Sequence, residues 1–213
     1  MVKNFIRVLV CLSMIMAVGC GANTEIVGEE VSEENNVVVE EESPTTSTTT
    51  EENSEVLDIG ESAETEIGKL TLIKAKKVDD TFTTGSFEMT IGTISIAEIM
   101  PKQSYRQIFD NREKATLVSI GMKVENTSPE TIMFHPNQGT IVVGQEQKDA
   151  NIFMSDNIGG DFIGQVIKEG KVMFIMTTPP EDISSVKYVV TAPFSMSQGS
   201  IGDDLTLEFA VDQ

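Results

Sequence analysis

Val118-Ser119-Ile120-Gly121-Met122-Lys123-Val124-Glu125 alternates an apolar residue with a small or polar one over eight positions. Successive side chains of an extended strand point to opposite sides, so this period of two buries one face and leaves the other out. The pattern returns near the end of the chain, where Leu205, Leu207, Phe209 and Val211 alternate with Thr206, Glu208, Ala210 and Asp212. Phe87, Met89 and Ile91 keep one phase, and Ile94 and Ile96 take the other. The change of phase predicts a bulge at Gly92-Thr93. Further strands are expected at 70–75, 132–134, 140–143, 172–176 and 186–190. Turn chemistry separates them at Asn126-Thr127-Ser128-Pro129, Glu169-Gly170-Lys171, Thr178-Pro179-Pro180-Glu181 and Gly202-Asp203-Asp204. Many short strands spaced this way predict an all-β sandwich or barrel. One short helix is expected over its end, because Ser104 and Gln107 have capping-box spacing. Tyr105, Ile108 and Phe109 would share a face of that helix.

The run Met122-Lys123-Val124-Glu125-Asn126-Thr127-Ser128-Pro129-Glu130-Thr131-Ile132-Met133-Phe134 resembles the strand, Asn-x-Ser turn and strand of the DUF4352 family. That family groups with telokin-like and MPT63-like immunoglobulin-type domains. Ile167-Lys168-Glu169-Gly170-Lys171-Val172-Met173-Phe174-Ile175-Met176 is similar to its turn-Gly-strand segment, with Glu169-Gly170 where Pro-Gly is usual. Thr178-Pro179-Pro180-Glu181-Asp182 stands where the family has a Pro-bearing turn. The likeness spans roughly 85–212. It implies an antiparallel immunoglobulin-like β-sandwich on a secreted or lipid-anchored bacterial protein, with no catalytic residues to carry over. A fold likeness of this kind does not by itself supply a function.

The beginning of the chain predicts an address. Lys3 and Arg7 precede an apolar core from 8 to 18, and Gly19-Cys20 follows. Basic region, short apolar core and small residue form the layout of a secretory signal. The core is too short to span hydrocarbon, which takes about 20 apolar residues. Ala17-Val18-Gly19-Cys20 resembles the bacterial lipobox, although Ala17 stands where Leu is usual. The resemblance implies cleavage after residue 19 and a diacylglycerol on the Cys20 sulfur. Cys11 is the rival, but Val10 before it is too large for the cleavage position. Acylation of Cys20 and loss of Cys11 leave the mature chain without a free thiol, which excludes cysteine catalysis and thiolate metal sites.

Residues 21–66 hold fifteen of the 34 acidic residues and no Lys or Arg, in a chain of net charge −19. Runs such as Glu40-Glu41-Glu42 and the Ser/Thr-rich 43–50 offer too little apolar surface to offset the entropy of ordering. Three parts are therefore expected: a signal at 1–19, a lipidated Cys20 with a disordered acidic tether to 66, and one β domain over 67–213. Such acidity disfavours nucleic acid as a partner.

Chemical motifs are sparse. His135, in Phe134-His135-Pro136, is the single histidine, and no Gly-x-Ser-x-Gly elbow accompanies it, so strand-end polar filler is expected. Asp156-Asn157-Ile158-Gly159-Gly160-Asp161 has oxygen ligands without EF-hand spacing, and Asp203-Asp204 reads as a solvated strand start. No catalytic residue, metal site or cofactor is assigned. Segment 150–167 mixes Ile152, Phe153, Met154, Ile158, Phe162 and Ile163 with Asn, Asp and Gly. It folds over a sheet edge, or it presents a recognition surface through Phe153, Met154, Phe162 and Ile163. The expectation is a non-catalytic binding or adhesion module, lipid-anchored in the cell membrane and facing outside the cytoplasm. Its partner would be an envelope or extracellular protein or polymer. An accessory subunit of an envelope complex stays open as an alternative. So does an enzyme acting on envelope glycan through a carboxylate pair, because such pairs are defined by separation in space.

Overall fold

The computed structural model describes residues 57–211, so the signal, Cys20 and the tether up to 56 lie outside the described residues. The alternation at 118–125 sits within β4 (Ala115–Asn126), an interior strand of a five-stranded antiparallel sheet. Its order is β1 (Ser62–Glu64), β2 (Gly68–Thr84), β3 (Phe87–Pro101), β4 and β9 (Ile167–Met176). A second layer faces it. One part is β13 (Leu205–Ala210), β10 (Ser185–Val190), β6 (Thr140–Val143) and β7 (Glu146–Asp149). The other part is β12 (Gly199–Ser200), β11 (Phe194–Ser195), β5 (Ile132–Phe134) and β8 (Gly160–Phe162). The protein is thus an all-β antiparallel sandwich, as the strand patterns predict.

The predicted phases form the core. Phe87, Met89, Ile91, Ile94 and Ile96 of β3 and Val118, Ile120, Met122 and Val124 of β4 all point inward. They meet Ile132, Phe134, Phe162, Tyr188, Leu207 and Phe209 of the second layer. Phe87 packs against Phe134 at 4.8 Å and edge-on to Phe162 at 4.9 Å. Each such side chain contributes about 1.5–3 kcal/mol by burial. The predicted bulge is present: the β3–β4 register slips between Ile91 and Thr93, which keeps both apolar runs facing the core.

Asn126 ends β4 and is fully buried. Its Nδ2 donates to the carbonyls of Glu130 (3.0 Å) and Gly164 (2.9 Å), and its Oδ1 accepts from Ser86 Oγ and Ser128 N. The Asn-x-Ser turn therefore ties three chain segments together. Tyr188 is buried as well. It donates to the Pro136 carbonyl, and burial pushes its phenol up from the ordinary value.

Three expectations need correction. The short helix is a 3-10 helix over Gln103–Phe109, with Lys102 at its N-cap and no capping side chain. With three residues per turn, Tyr105 and Ile108 still share a face, but Phe109 turns to another. Phe109 enters the core while Ile108 is exposed. Glu169-Gly170-Lys171 is not a turn but part of β9. The loop after β7 crosses it so closely that a Cβ on Gly170 would lie 2.6 Å from the Asp156 Cβ. Glycine there serves the close approach rather than a turn. Finally, the folded chain starts before 67. β1 pairs with β2 through Ser62–Thr71, Ala63–Leu70 and Glu64–Lys69, so a short polar edge strand is drawn from the acidic stretch.

Candidate binding groove on the outer sheet

The five-stranded sheet has an outer face, and register decides what lies on it. Leu72, Ala97, Leu117 and Ile175 are cross-strand neighbours in one row. Ala75, Ser95, Ser119 and Met173 form the next, and Lys77, Thr93, Gly121 and Lys171 the one after. Leu70 and Ile99 precede them at the end covered by the 3-10 helix. Small residues thus floor the middle of the face, and larger apolar ones stand at one end.

The result is an open groove of about 590 Å³. Leu57, Ile67, Leu70, Leu72 and Met173 form its apolar sides over a floor that includes Ser95, Ala97, Ser119 and Gly121. That volume lies within the range of small-molecule sites, roughly 300–1,000 Å³. Its wall at 65–67 is fixed in place. Thr65 Oγ1 donates to the Gly68 carbonyl at 2.6 Å, and Lys102 Nζ to the Thr65 carbonyl at 2.7 Å. Lys102 N also donates to the Ile67 carbonyl at 2.9 Å. Among the lining residues only Glu66 and Lys171 are charged. Glu66 accepts from the Tyr105 hydroxyl at 2.8 Å, which holds that phenol above its ordinary value. Lys171 Nζ has no ion-pair or hydrogen-bond partner among the described residues, although its backbone N donates to Asp156 Oδ2 at 2.7 Å.

Beyond the groove a small apolar cluster of Ile99, Phe109, Ala115 and Leu117 continues the same face. Met154 and Met173 pack against it. The loop at 150–158 lies over the sheet, with Met154 half-buried beneath it and Ile152 and Phe153 exposed. Its tip presents Phe153, 89% exposed, beside Ile108 and Ile175 in a shallow dent. Asn151 shapes the tip: its Oδ1 accepts from the backbone N of Phe153 and Met154.

The four recognition candidates are not brought together. Phe162 belongs to the core, with no exposed surface, because β8 pairs it inward with Ile132. It is removed from any recognition surface. Met154 is half-buried under the loop. Phe153 and Ile163 are both exposed but lie at opposite ends of β9. Asn151 bonds to Met173, whereas Asn126 bonds to Val166. Those anchors are separated by about 23 Å of extended chain.

The acidic positions hold backbone. Asp156 braces Lys171, and Asp204 Oδ1 accepts from Ala192 N at 2.8 Å. Among the described residues no three potential metal ligands cluster. His135 follows β5, with its Nδ1 3.3 Å from Gln138 Nε2.

The chain matches no family model. It is similar to the SPbeta prophage-derived uncharacterized lipoprotein YonS of Bacillus subtilis strain 168. The two are 20% identical over 158 residues, which is 72% of each chain. Its fold is similar to that of a functionally unknown protein from Listeria monocytogenes EGD-e. That match has a TM-score of 0.55 and 12% identity, and it covers 68% of this chain and 89% of the other. The structural likeness supports the sandwich alone.

Proposed function

We propose that this protein is a lipoprotein, anchored in the cell membrane through Cys20 and facing outside the cytoplasm. Its sandwich acts as a non-catalytic binding module that holds an apolar ligand in the outer-sheet groove. The groove is the observation that carries the reading: a preformed apolar trough of about 590 Å³ with a rigid sheet as its floor. Support for the anchor comes from the lipobox pattern at 17–20 and from the likeness to a protein named as a lipoprotein. The Asn-x-Ser turn at Asn126, between β4 and β5, supports kinship with the DUF4352, telokin-like group.

The test uses the mature chain from residue 20 with Cys20→Ser, titrated with the neutral apolar fluorophore N-phenyl-1-naphthylamine. Saturable enhancement at one site is expected. Ser119→Phe places a ring over the groove floor at a strand position that tolerates aromatics. It should weaken binding at least about tenfold, or about 1.4 kcal/mol, without lowering the melting temperature. Unsaturable enhancement, or a folded Ser119→Phe variant that binds like the parent, would overturn the groove reading.

A further inference from the structure

The outer face is graded along the strands. Leu70, Leu72, Leu117 and Ile175 occupy the end near the 3-10 helix, small residues the middle, and Lys171 the far row. Alternate residues of a strand are about 6.7 Å apart, so the row at Leu70 and the row at Lys171 are separated by about 20 Å. A hydrocarbon core of about 30 Å is two chains deep, so one lipid tail spans about 15 Å. The trough thus has the length of a single acyl chain with room for a head at one end. The charge at that end is specific. Lys77 of the same row is held by Asp79 at 2.6 Å, and Lys123 of the next lies 3.5 Å from Glu125. Lys171 Nζ has no ion pair within 4 Å among the described residues, and the nearby Asp156 carboxylate is engaged by the Lys171 backbone N. At the other end Glu66 Oε1 accepts from the Tyr105 hydroxyl, and its negative charge disfavours an anionic head there.

From this gradient we infer that the groove takes an anionic single-chain amphiphile drawn from the membrane. The tail lies over Leu70, Leu72, Ala97 and Leu117, and the head pairs with Lys171. The inference rests on the groove reading and adds the ligand class and its orientation. An acyl tail offers a continuous apolar strip to match the trough, and the anion supplies what Lys171 lacks. The anchor keeps such lipids near: 36 residues separate Cys20 from Leu57, and they reach at most about 120–130 Å.

The experiment compares palmitate, palmitoyl-lysophosphatidylglycerol, palmitoyl-lysophosphatidylcholine and neutral monopalmitin as competitors for the bound fluorophore. All are kept below their aggregation concentrations, with the full mature Cys20→Ser chain as the protein. The two anions are expected to compete about three- to fivefold better than monopalmitin, the advantage of an exposed pair. Lys171→Ala should abolish that preference, so that the anions compete no better than monopalmitin. High salt should narrow it in the parent protein. Equal competition by anionic and neutral lipids would overturn the head-group assignment while leaving the groove reading in place. So would a preference that survives Lys171→Ala. Failure of all four lipids to displace a fluorophore that binds saturably would overturn the amphiphile class. Absence of fluorophore binding would overturn the groove reading itself.

Discussion

Glu146→Gln removes the charge from a carboxylate that joins the two layers of the sandwich. Glu146 opens β7 in the second layer, and Thr177 and Thr178 follow β9 in the first. Its oxygens accept from Thr177 N at 2.7 and 3.0 Å, Thr178 N at 2.8 Å and Thr178 Oγ1 at 2.7 Å. Burial pushes the carboxyl up, but the hydrogen bonds from Thr178 and Thr177 win and bring it from 4.5 to about 2. Solvent screens this partly exposed carboxylate, so the charged form gains less than the roughly 3 kcal/mol that the depression alone would give at about 1.36 kcal/mol per unit. Glutamine keeps one acceptor oxygen, so the expected loss is about 2 kcal/mol at pH 7. The sign follows from the depression. The contribution is fully present above the ordinary value near 4.5, and it is lost as pH falls toward 2. Urea unfolding of the mature Cys20→Ser chain and its Glu146→Gln derivative, at pH 7, 4.5 and 3, measures the difference. It should be about 2 kcal/mol at pH 7 and shrink as the solution is acidified. A difference under about 0.5 kcal/mol at pH 7, the size of an ordinary surface change, would refute the latch. A gap that widens on acidification would refute it as well.

The remaining predictions concern the core, the turn and the anchor. Phe162→Ser should cost about 3–5 kcal/mol in urea unfolding, since it empties a fully buried aromatic site, whereas Phe153→Ser should stay within about 0.5 kcal/mol. Equal effects of the two would contradict the placement of β8. Asn126→Ala strands two carbonyls and two donors and should cost about 3 kcal/mol by the same assay; a neutral outcome would deny the turn its structural role. Cys20→Ser should abolish fatty-acid labelling and move the protein from the membrane pellet to the soluble fraction, and a variant that still labels and still pellets would contradict the anchor.

Much of the fold was legible because burial on one side of a strand writes a period of two. The stretches 132–134 and 140–143 are β5 and β6 as expected, and the phase change at Gly92-Thr93 marks the bulge. What escaped has physical causes. β1 and β8 are three residues long and mostly polar, too short for a period to show. Gly170 has the composition of a turn, yet its lack of a side chain serves the passage of Asp156. The groove escaped because its floor is assembled from four strands, and only cross-strand register places Ala75, Ser95, Ser119 and Met173 side by side. A signal was nonetheless present. Ile96-Ala97, Leu117-Val118 and Val172-Met173-Phe174-Ile175-Met176 break the alternation, and apolar residues on both phases mark a strand with two apolar faces. Apolar residues of segment 150–167 follow no strand period, so in sequence they read as a loop surface. Phe162 there was simply the inward residue of an unrecognised strand.

The most direct test of a groove-binding sandwich is to watch the outer face while ligand is added. Backbone amide NMR of the full mature Cys20→Ser chain, titrated with palmitate below its aggregation concentration, reports each strand separately. The groove account predicts saturable shifts at Ser95, Ala97, Ser119, Gly121, Lys171 and Met173. The Asn126 turn and β10–β13 should stay still. Shifts confined to Ile152 and Phe153, or no saturable shifts on the outer face, would contradict it.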